Sequence, residues 1–139
     1  MAARRAIHVL VYALTPPRVL LLRRPEAKAG GWQGVTGRVE PDDEDLGAAC
    51  VREIQEETGL PPPDTLTDLG HERTFVGYDG ATYAQRSFAA RYATPRAVDA
   101  TPEHEEARWV SLADARAMVR WDTDREALDW LARTETAFK

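Results

Sequence analysis

An amphipathic helix over about Asp45–Thr58 is the feature that most constrains how this chain can fold. At about 100° per residue, Glu53, Glu56 and Glu57 fall within an arc of roughly 100°. The adjoining face carries residues that suit a protein core, namely Cys50, Val51, Ile54 and Thr58. Gly59 can adopt the left-handed conformation that ends a helix, and the prolines that follow it prevent continuation. The segment therefore predicts a helix with one buried face and one acidic face.

The acidic face is open to two interpretations. Glu53 and Glu57 have the i, i+4 spacing, at which like charges destabilise a helix by roughly 0.2–0.5 kcal/mol. Among nearby side chains only Arg52, four residues before Glu56, is placed to compensate. Such acidic runs are ordinarily solvated surfaces. A divalent cation gives the other interpretation, because Mg²⁺ prefers hard oxygen ligands such as carboxylates.

Composition excludes several classes of protein. The 139 residues, 43% of them hydrophobic, suit one globular domain over 1–139. A net charge of −5 gives no general attraction for a nucleic-acid polymer. The single cysteine, Cys50, cannot form an internal disulfide and is expected to be a small core residue. His8 interrupts the first apolar run, and no stretch is long enough to span a membrane, so we expect a cytoplasmic protein.

Hydrophobic periodicity and turn residues predict a domain of alternating strands and helices. Gly30-Gly31 predicts a loop and Tyr78-Asp79-Gly80 a hairpin turn. Ser111 is the expected N-cap of a late helix. The expected strands are Ile7–Leu14, Arg18–Arg24, Trp32–Val39, Leu66–Val76, Tyr83–Tyr92 and Arg108–Val110, and the other expected helices are Leu112–Val119 and Thr123–Arg133. Strands mixed with helices predict an α/β layered fold.

The helical segment resembles the Nudix box, Gly-x5-Glu-x7-Arg-Glu-U-x-Glu-Glu-x-Gly-U, in which U is a bulky aliphatic residue. The chain matches this pattern from Glu44 through Arg52-Glu53-Ile54-Gln55-Glu56-Glu57-Thr58-Gly59-Leu60. Six residues rather than five separate Gly37 from Glu44, so either the loop carries one insertion or Asp43 takes the place of the family's glutamate. The seven-residue spacing to Arg52 favours Glu44, and we expect these two side chains to pair and brace the loop against the helix.

The resemblance implies a MutT-like Nudix hydrolase whose α/β/α sandwich surrounds a mixed β-sheet and carries the box as a loop-helix-loop. It also implies a bound divalent metal, Mg²⁺ or alternatively Mn²⁺. Glu53 and Glu57 would be the principal metal ligands, and Glu56 would be a further ligand or a proton acceptor. Glu44 and Arg52 would support these residues.

Two further likenesses concern the substrate. Residues 32–37, Trp-Gln-Gly-Val-Thr-Gly, look like the subgroup that acts on dihydroneopterin triphosphate and dATP-like nucleotides. Glu103, followed by His104, is similar to the site where a glutamate outside the box joins the metal cluster in that subgroup, with Glu105 and Glu106 as competitors. The resemblance thus implies hydrolysis of a nucleoside triphosphate, or of dihydroneopterin triphosphate, to the monophosphate and pyrophosphate. ADP-ribose and diadenosine polyphosphates are the alternatives.

Candidate substrate contacts lie on strands and in the loop before the helix. Arg23, with Arg24 beside it, is placed to meet phosphates, since guanidinium groups match phosphate oxygens. Trp32 is a candidate to stack on a base, and Thr36 and Gly37 belong to the same substrate-binding segment. Tyr78 and Tyr83 are candidates to line the pocket. His71 and His104 are expected to be structural, because Mg²⁺ favours oxygen ligands.

Two other classes remain as alternatives. A non-catalytic nucleotide-binding module on the same fold is disfavoured because the box carboxylates are present, although the extra loop residue keeps it open. An isomerase on this fold ranks last, because the single cysteine lies inside the box helix. The expected partner is a small nucleotide, and a homodimer is compatible with the resemblance because many relatives are dimers.

Overall fold

The computed structural model describes residues 3–28, 30–98, 104 and 106–139. Within these residues the elements follow the predicted order. The strands are β1 (Arg4–Ala13), β2 (Arg18–Arg23), β3 (Trp32–Gln33), β4 (Val35–Arg38), β5 (Thr65–Val76), β6 (Thr82–Tyr92) and β7 (Glu106–Val110). The helices are α1 (Leu46–Thr58), α2 (Leu112–Met118) and α3 (Asp122–Thr134), with short 3-10 turns at Glu26–Lys28 and Thr136–Phe138.

The strands of the described part form one mixed sheet in the order β3-β2-β1-β6-β5, with β4 pairing to β1 and β7 to β2. Strand β1 lies at the centre, antiparallel to β2 and β4 and parallel to β6. The prediction of one strand over Trp32–Val39 is wrong. Gly34 separates two strands: β3 pairs with β2, whereas β4 pairs with β1. A Cβ at Gly34 would lie 2.6 Å from the carbonyl oxygen of Val9, so the backbone approaches β1 too closely there for any side chain.

Helices cover both faces of the sheet, which confirms the predicted α/β/α sandwich. Successive side chains of a strand point to opposite faces, so β1 contributes to two cores. One core joins Ile7, Val9 and Val11 of β1 to Ala49, Cys50 and Ile54 of α1. The other joins Leu10 and Tyr12 of β1 to Ala115 of α2 and to Ala127, Leu128 and Leu131 of α3. In the part of the chain described, no helix has the length and apolarity needed to cross a bilayer.

Both ends of α1 are fixed by specific caps. Asp45 precedes the first turn, and its Oδ1 accepts a hydrogen bond of 2.7 Å from the backbone N–H of Ala48. Gly59 ends the helix with a φ of 75°, and its N–H donates to the carbonyl oxygen of Gln55 at 2.9 Å. The predicted helix is confirmed, with Asp45 as its cap. These caps fix the register in which the acidic face meets the loop that precedes it.

Candidate functional site

Two carboxylates of α1 are buried where the helix meets β4. Glu53 is 9% exposed and Glu57 only 2%, although glutamates are rarely buried unless they have partners. The side chain of Glu53 lies against the backbone of Gly37: a Cβ at that glycine would be 2.3 Å from Oε2 of Glu53. The absence of a side chain at Gly37 therefore lets a carboxylate approach the end of β4.

Arg52 joins the loop to the helix and also contacts the acidic face. Its Nε and Nη2 donate two parallel hydrogen bonds of 2.9 Å to the two carboxylate oxygens of Asp43. Nη2 also donates to the carbonyl oxygen of Arg38 at 2.9 Å, and Nη1 donates to Oε1 of Glu53 at 2.7 Å. The hydrogen bonds from the Arg52 guanidinium lower the pKa of Asp43 and keep it ionised. One guanidinium thus holds the loop, the strand end and a buried carboxylate together.

The expected pairing of Glu44 with Arg52 is wrong. Asp43 makes that contact, and Glu44 is exposed. The physical reason is the cap at Asp45, which sets where the helix begins. Glu44 lies between the residue that holds Arg52 and the residue that caps the helix, so it accommodates the extra length of the loop.

The third carboxylate of the acidic face has a different environment. Glu56 is exposed, and its Oε2 accepts from Nη1 of Arg52 at 3.2 Å. Nε2 of His104 lies 3.3 Å from Oε1 of the buried Glu57. The other residues considered as ligands, Glu103 and Glu105, lie outside the described residues, whereas Glu106 belongs to β7 and forms an ion pair with Arg108.

A cleft of ≈ 650 Å³ opens beside β4, a size within the usual range for small-molecule sites. Thr36 and Gly37 line it, so Gly37 borders both the cleft and Glu53. The cleft has a buried polar end, formed by His8, Gln33, Gln85 and Asp124. Its exposed rim is apolar and aromatic, formed by Phe75, Val76, Tyr78 and Trp121. An apolar mouth above a few buried polar groups is the arrangement expected of a ligand site.

Hydrogen bonds fix the polar groups at the buried end. Oδ1 of Asp124 lies 2.8 Å from Nε2 of His8 and accepts from the N–H of Gly34 at 2.9 Å. Nδ1 of His8 lies 3.1 Å from Oγ of Ser87 on the neighbouring strand β6. Asp124, His8 and Ser87 are each no more than 2% exposed. Burial and directed contacts hold this end of the cleft in one arrangement.

The structure brings some predicted substrate contacts to the cleft and leaves others outside it. Two predicted contacts, Tyr78 and Tyr83, join Thr36 and Gly37 among the lining residues. Trp32 and Arg23 are not among the residues that line the cleft. They are opposite partners of the β3–β2 ladder, and the Trp32 ring lies 5.8 Å from Cζ of Arg23 and 5.0 Å from Cζ of Arg108. Arg24, the next residue of the chain, lines the cleft instead.

Three residues, His8, Trp121 and Asp124, are among those of the cleft that the sequence did not predict. Trp121 and Asp124 come from the start of α3, and His8 comes from β1, which is separated from Asp124 by 116 positions. A signal was present in the sequence, since a histidine interrupts an otherwise apolar strand and an aspartate follows a tryptophan near a helix start. Neither residue could be assigned to a site from the sequence, because only the fold brings the two together.

The donor set suits a hard divalent cation. Mg²⁺ is commonly held by one or two carboxylates, with water and substrate phosphates completing its octahedron. The buried carboxylates of Glu53 and Glu57, one helical turn apart, supply ligands of this kind. Within residues 3–28, 30–98, 104 and 106–139, no three acidic, histidine or cysteine side chains converge as a ready metal cage.

The fold and the box loop define a family. The model of the NUDIX domain family matches residues 4–131, so the chain belongs to the Nudix family, and the predicted membership is confirmed. The structure is similar to that of the dihydroneopterin triphosphate pyrophosphohydrolase of E. coli, with a TM-score of 0.74 and 25% identity over 94% of this chain and 97% of that one.

Two curated relatives share part of their length with this chain. One is an octanoyltransferase of Myxococcus xanthus, 32% identical over 114 residues that make up 80% of this chain and 31% of that protein. The other is an oxidized purine nucleoside triphosphate hydrolase of Mus musculus, 40% identical over 73 residues, or 51% of this chain and 46% of that protein. The chain thus spans less than half the length of either relative.

Proposed function

We propose that this protein is a Mg²⁺-dependent hydrolase that cleaves a phosphoric anhydride bond of a nucleoside triphosphate or of dihydroneopterin triphosphate. The products would be the monophosphate and pyrophosphate. Support comes from family membership and from the similarity to the two triphosphate hydrolases of E. coli and mouse.

One observation carries the proposal: Gly37 borders the cleft and touches Glu53. A ligand whose ring fills the buried polar end would therefore extend its phosphates toward the carboxylates of α1. Arg24 lines the same cleft and brings a guanidinium to it, which suits phosphate oxygens. The ring and the phosphates of one nucleotide would thus meet groups of the matching chemistry within one site.

Each residue of the acidic face has its own task in this proposal. Glu53 and Glu57 would hold the Mg²⁺ ion, which supplies charge neutralisation of the phosphates and activation of water. Glu56, which is exposed, would act as a further ligand or take the proton from the attacking water. Arg52 would orient Glu53 through its 2.7 Å hydrogen bond, while its contacts with Asp43 keep the loop in place.

The buried end favours a nitrogen heterocycle with hydrogen-bond donors. His8 and the Gly34 N–H both contact Oδ1 of the Asp124 carboxylate, which leaves Oδ2 available to a ligand. An ionised carboxylate only accepts hydrogen bonds, so a ring that offers an N–H group there satisfies it. Trp121 and Tyr78 on the rim offer aromatic surface to the same ring.

The same geometry ranks the alternatives. A diadenosine polyphosphate carries two bases, and the cleft has one buried polar end, so its second base would lie outside. Acyl transfer, which the name of the Myxococcus relative describes for that larger protein, has no candidate thiol here, because Cys50 is fully buried in the core. A binding module without catalysis is disfavoured by the retained carboxylates of α1.

The experiment is a release assay for phosphate and pyrophosphate with Mg²⁺ or with EDTA. The substrates are the four dNTPs, dihydroneopterin triphosphate, ADP-ribose and diadenosine tetraphosphate. We expect metal-dependent pyrophosphate release from a triphosphate. Cleavage of ADP-ribose alone would replace the proposed substrate class. Nucleotide binding without any release would overturn the hydrolase in favour of the binding module.

A further inference from the structure

His8 is an unusual residue for its position. It lies at the centre of the sheet on β1, a strand that is otherwise apolar from Ala6 to Ala13, and it is only 1% exposed. Burying a polar ring costs free energy unless its nitrogens are hydrogen-bonded. Both nitrogens have partners, Ser87 on β6 and Asp124 on α3. His8 therefore links three elements at the buried end of the cleft.

One assignment of hydrogens satisfies both contacts of His8 when Asp124 is ionised and the imidazole is neutral. With Asp124 ionised, its Oδ1 only accepts, so the donor is Nε2 of His8, at 2.8 Å. In a neutral imidazole the other nitrogen is then an acceptor, and the Ser87 hydroxyl can donate to Nδ1 across 3.1 Å. Hydrogens thus point from Ser87 to His8 and from His8 to Asp124. This order keeps the carboxylate as an acceptor.

The backbone supplies a second donor to the same oxygen. The N–H of Gly34 donates to Oδ1 of Asp124 at 2.9 Å. A Cβ at Gly34 would lie 3.1 Å from Nε2 of His8 and 2.6 Å from the Val9 carbonyl oxygen, so only glycine allows this approach. Two donors on Oδ1 fix the plane of the carboxylate, and no protein donor to Oδ2 is found among the described residues.

We propose that His8, oriented by Ser87, is a positioning residue that sets base specificity by holding Asp124 with Oδ2 directed to the ligand as a fixed acceptor. The inference rests on the proposed function, in which a nucleobase occupies the buried end. A base with an N–H donor on its edge satisfies Oδ2. A base without one leaves a buried carboxylate oxygen unpaired, and sites of this kind reject such analogues strongly.

The probe is a pair of substrates that differ only at the base edge. Deoxyadenosine triphosphate has an exocyclic amino group, and the triphosphate of unsubstituted purine deoxyriboside has no donor on that edge. Sugar and phosphates are identical, so the ratio of the two kcat/KM values isolates recognition of the edge. We expect the wild-type protein to prefer the amino substrate on the order of 10- to 100-fold, the range of a hydrogen bond to a charged group.

Two substitutions separate the nitrogens of His8. The amide nitrogen of His8→Gln reaches the place of Nε2 and can still donate to Asp124, whereas the shorter side chain of His8→Asn reaches only the place of Nδ1. We expect His8→Gln to keep most of the preference and His8→Asn to reduce the ratio to within a few-fold of one. On an Asp124→Asn background, His8→Asn should cause no further change, because His8 acts through Asp124.

Thermal unfolding of each variant tests whether a purely structural role explains the result. A purely structural role would lower kcat/KM for both substrates equally and would affect His8→Gln and His8→Asn alike. That result would overturn the proposal. If His8→Asn does not fold, Ser87→Ala removes the donor to Nδ1 and is expected to reduce the ratio in the same direction; an unchanged ratio would overturn it. If the wild-type protein cleaves no triphosphate, the proposed function fails separately, and the Kd ratio of the two nucleotides still tests His8.

Discussion

Asp43 and Arg52 are joined by two parallel hydrogen bonds of 2.9 Å each. This geometry uses the planar fork of the guanidinium, which makes it one of the stronger ionic contacts in proteins. The Asp43 side chain is 6% exposed, so water competes little for its oxygens. The pair fixes the loop on α1 and leaves Nη1 of Arg52 to hold Glu53.

The first prediction compares Asp43 with its neighbour Glu44. Asp43→Asn is expected to lower the free energy of unfolding at pH 7 by about 1–2 kcal/mol, because it removes a charged acceptor from a paired guanidinium. Glu44→Gln, a matched loss of one charge at an exposed residue, should change it by less than about 0.5 kcal/mol. Urea denaturation measures both. Equal losses in the free energy of unfolding would mean that Glu44 also helps to hold Arg52.

The ion pair of Asp43 and Arg52 predicts that the stability of the protein changes with pH in the acid range. Arg52 lowers the pKa of folded Asp43, so the stabilisation is present above the unfolded value of about 3.9 and disappears as the pH falls through the lower folded value. The gap in stability between wild type and Asp43→Asn should therefore be constant near neutrality and narrow below about pH 4. A gap that widens in acid would contradict the assignment of the shift.

The contact between Gly37 and Glu53 predicts a loss of turnover from the smallest possible side chain. A Cβ at Gly37 would lie 2.2 Å from Cδ of Glu53, so Gly37→Ala must displace that carboxylate. We expect turnover to fall by at least about 10-fold, since misplaced catalytic groups are costly. The matched control is Gly47→Ala in the first turn of α1, where the nearest atom to the added Cβ would be Oδ1 of Asp45 at 3.3 Å rather than Glu53, so activity should be kept. Steady-state kinetics and thermal melts distinguish the two.

Cys50 gives a prediction at alkaline pH. It is fully buried, and burial raises the pKa of its thiol well above the usual value. The unfolded thiol ionises near pH 8.5, so the stability of the wild-type protein should fall above that pH by up to about 1.4 kcal/mol per unit from this group alone. Cys50→Ala is expected to cost about 1 kcal/mol at neutral pH and to lose this alkaline component. Urea denaturation at pH 7.5 and pH 10 tests it, and a large loss of turnover in the folded variant would instead indicate a role in catalysis.

The sequence alone predicts the helix and the family because both depend on local patterns. The start at Asp45, the acidic face and the stop at Gly59 lie within one continuous segment, and the structure confirms each boundary. The hairpin turn at Tyr78–Gly80 is of the same kind, since Gly80 has the expected positive φ of 81°. Local chemistry decides such features, so no tertiary contact is needed to predict them.

Spacing could not decide between Asp43 and Glu44, because the answer depends on where the helix cap lies relative to Arg52. No local sequence pattern could predict the buried end of the cleft either. His8 and Asp124 meet only because β1 lies at the centre of the sheet while α3 packs across one face. The predicted stacking residue, Trp32, pairs with Arg23 of β2, whereas the topology brings Trp121 to the cleft.

We propose that the buried carboxylates of α1 hold a catalytic metal, and Glu57→Gln removes the charge of the more deeply buried one. We would measure Mg²⁺-dependent pyrophosphate release for this variant beside Glu72→Gln, the same substitution at an exposed residue of β5, with thermal melts of both. We expect Glu57→Gln to lose turnover by at least about 100-fold while remaining folded, because metal catalysis is worth several kcal/mol. Glu72→Gln should behave like wild type. A folded Glu57→Gln protein with turnover within a few-fold of wild type would show that Glu57 does not hold a catalytic metal.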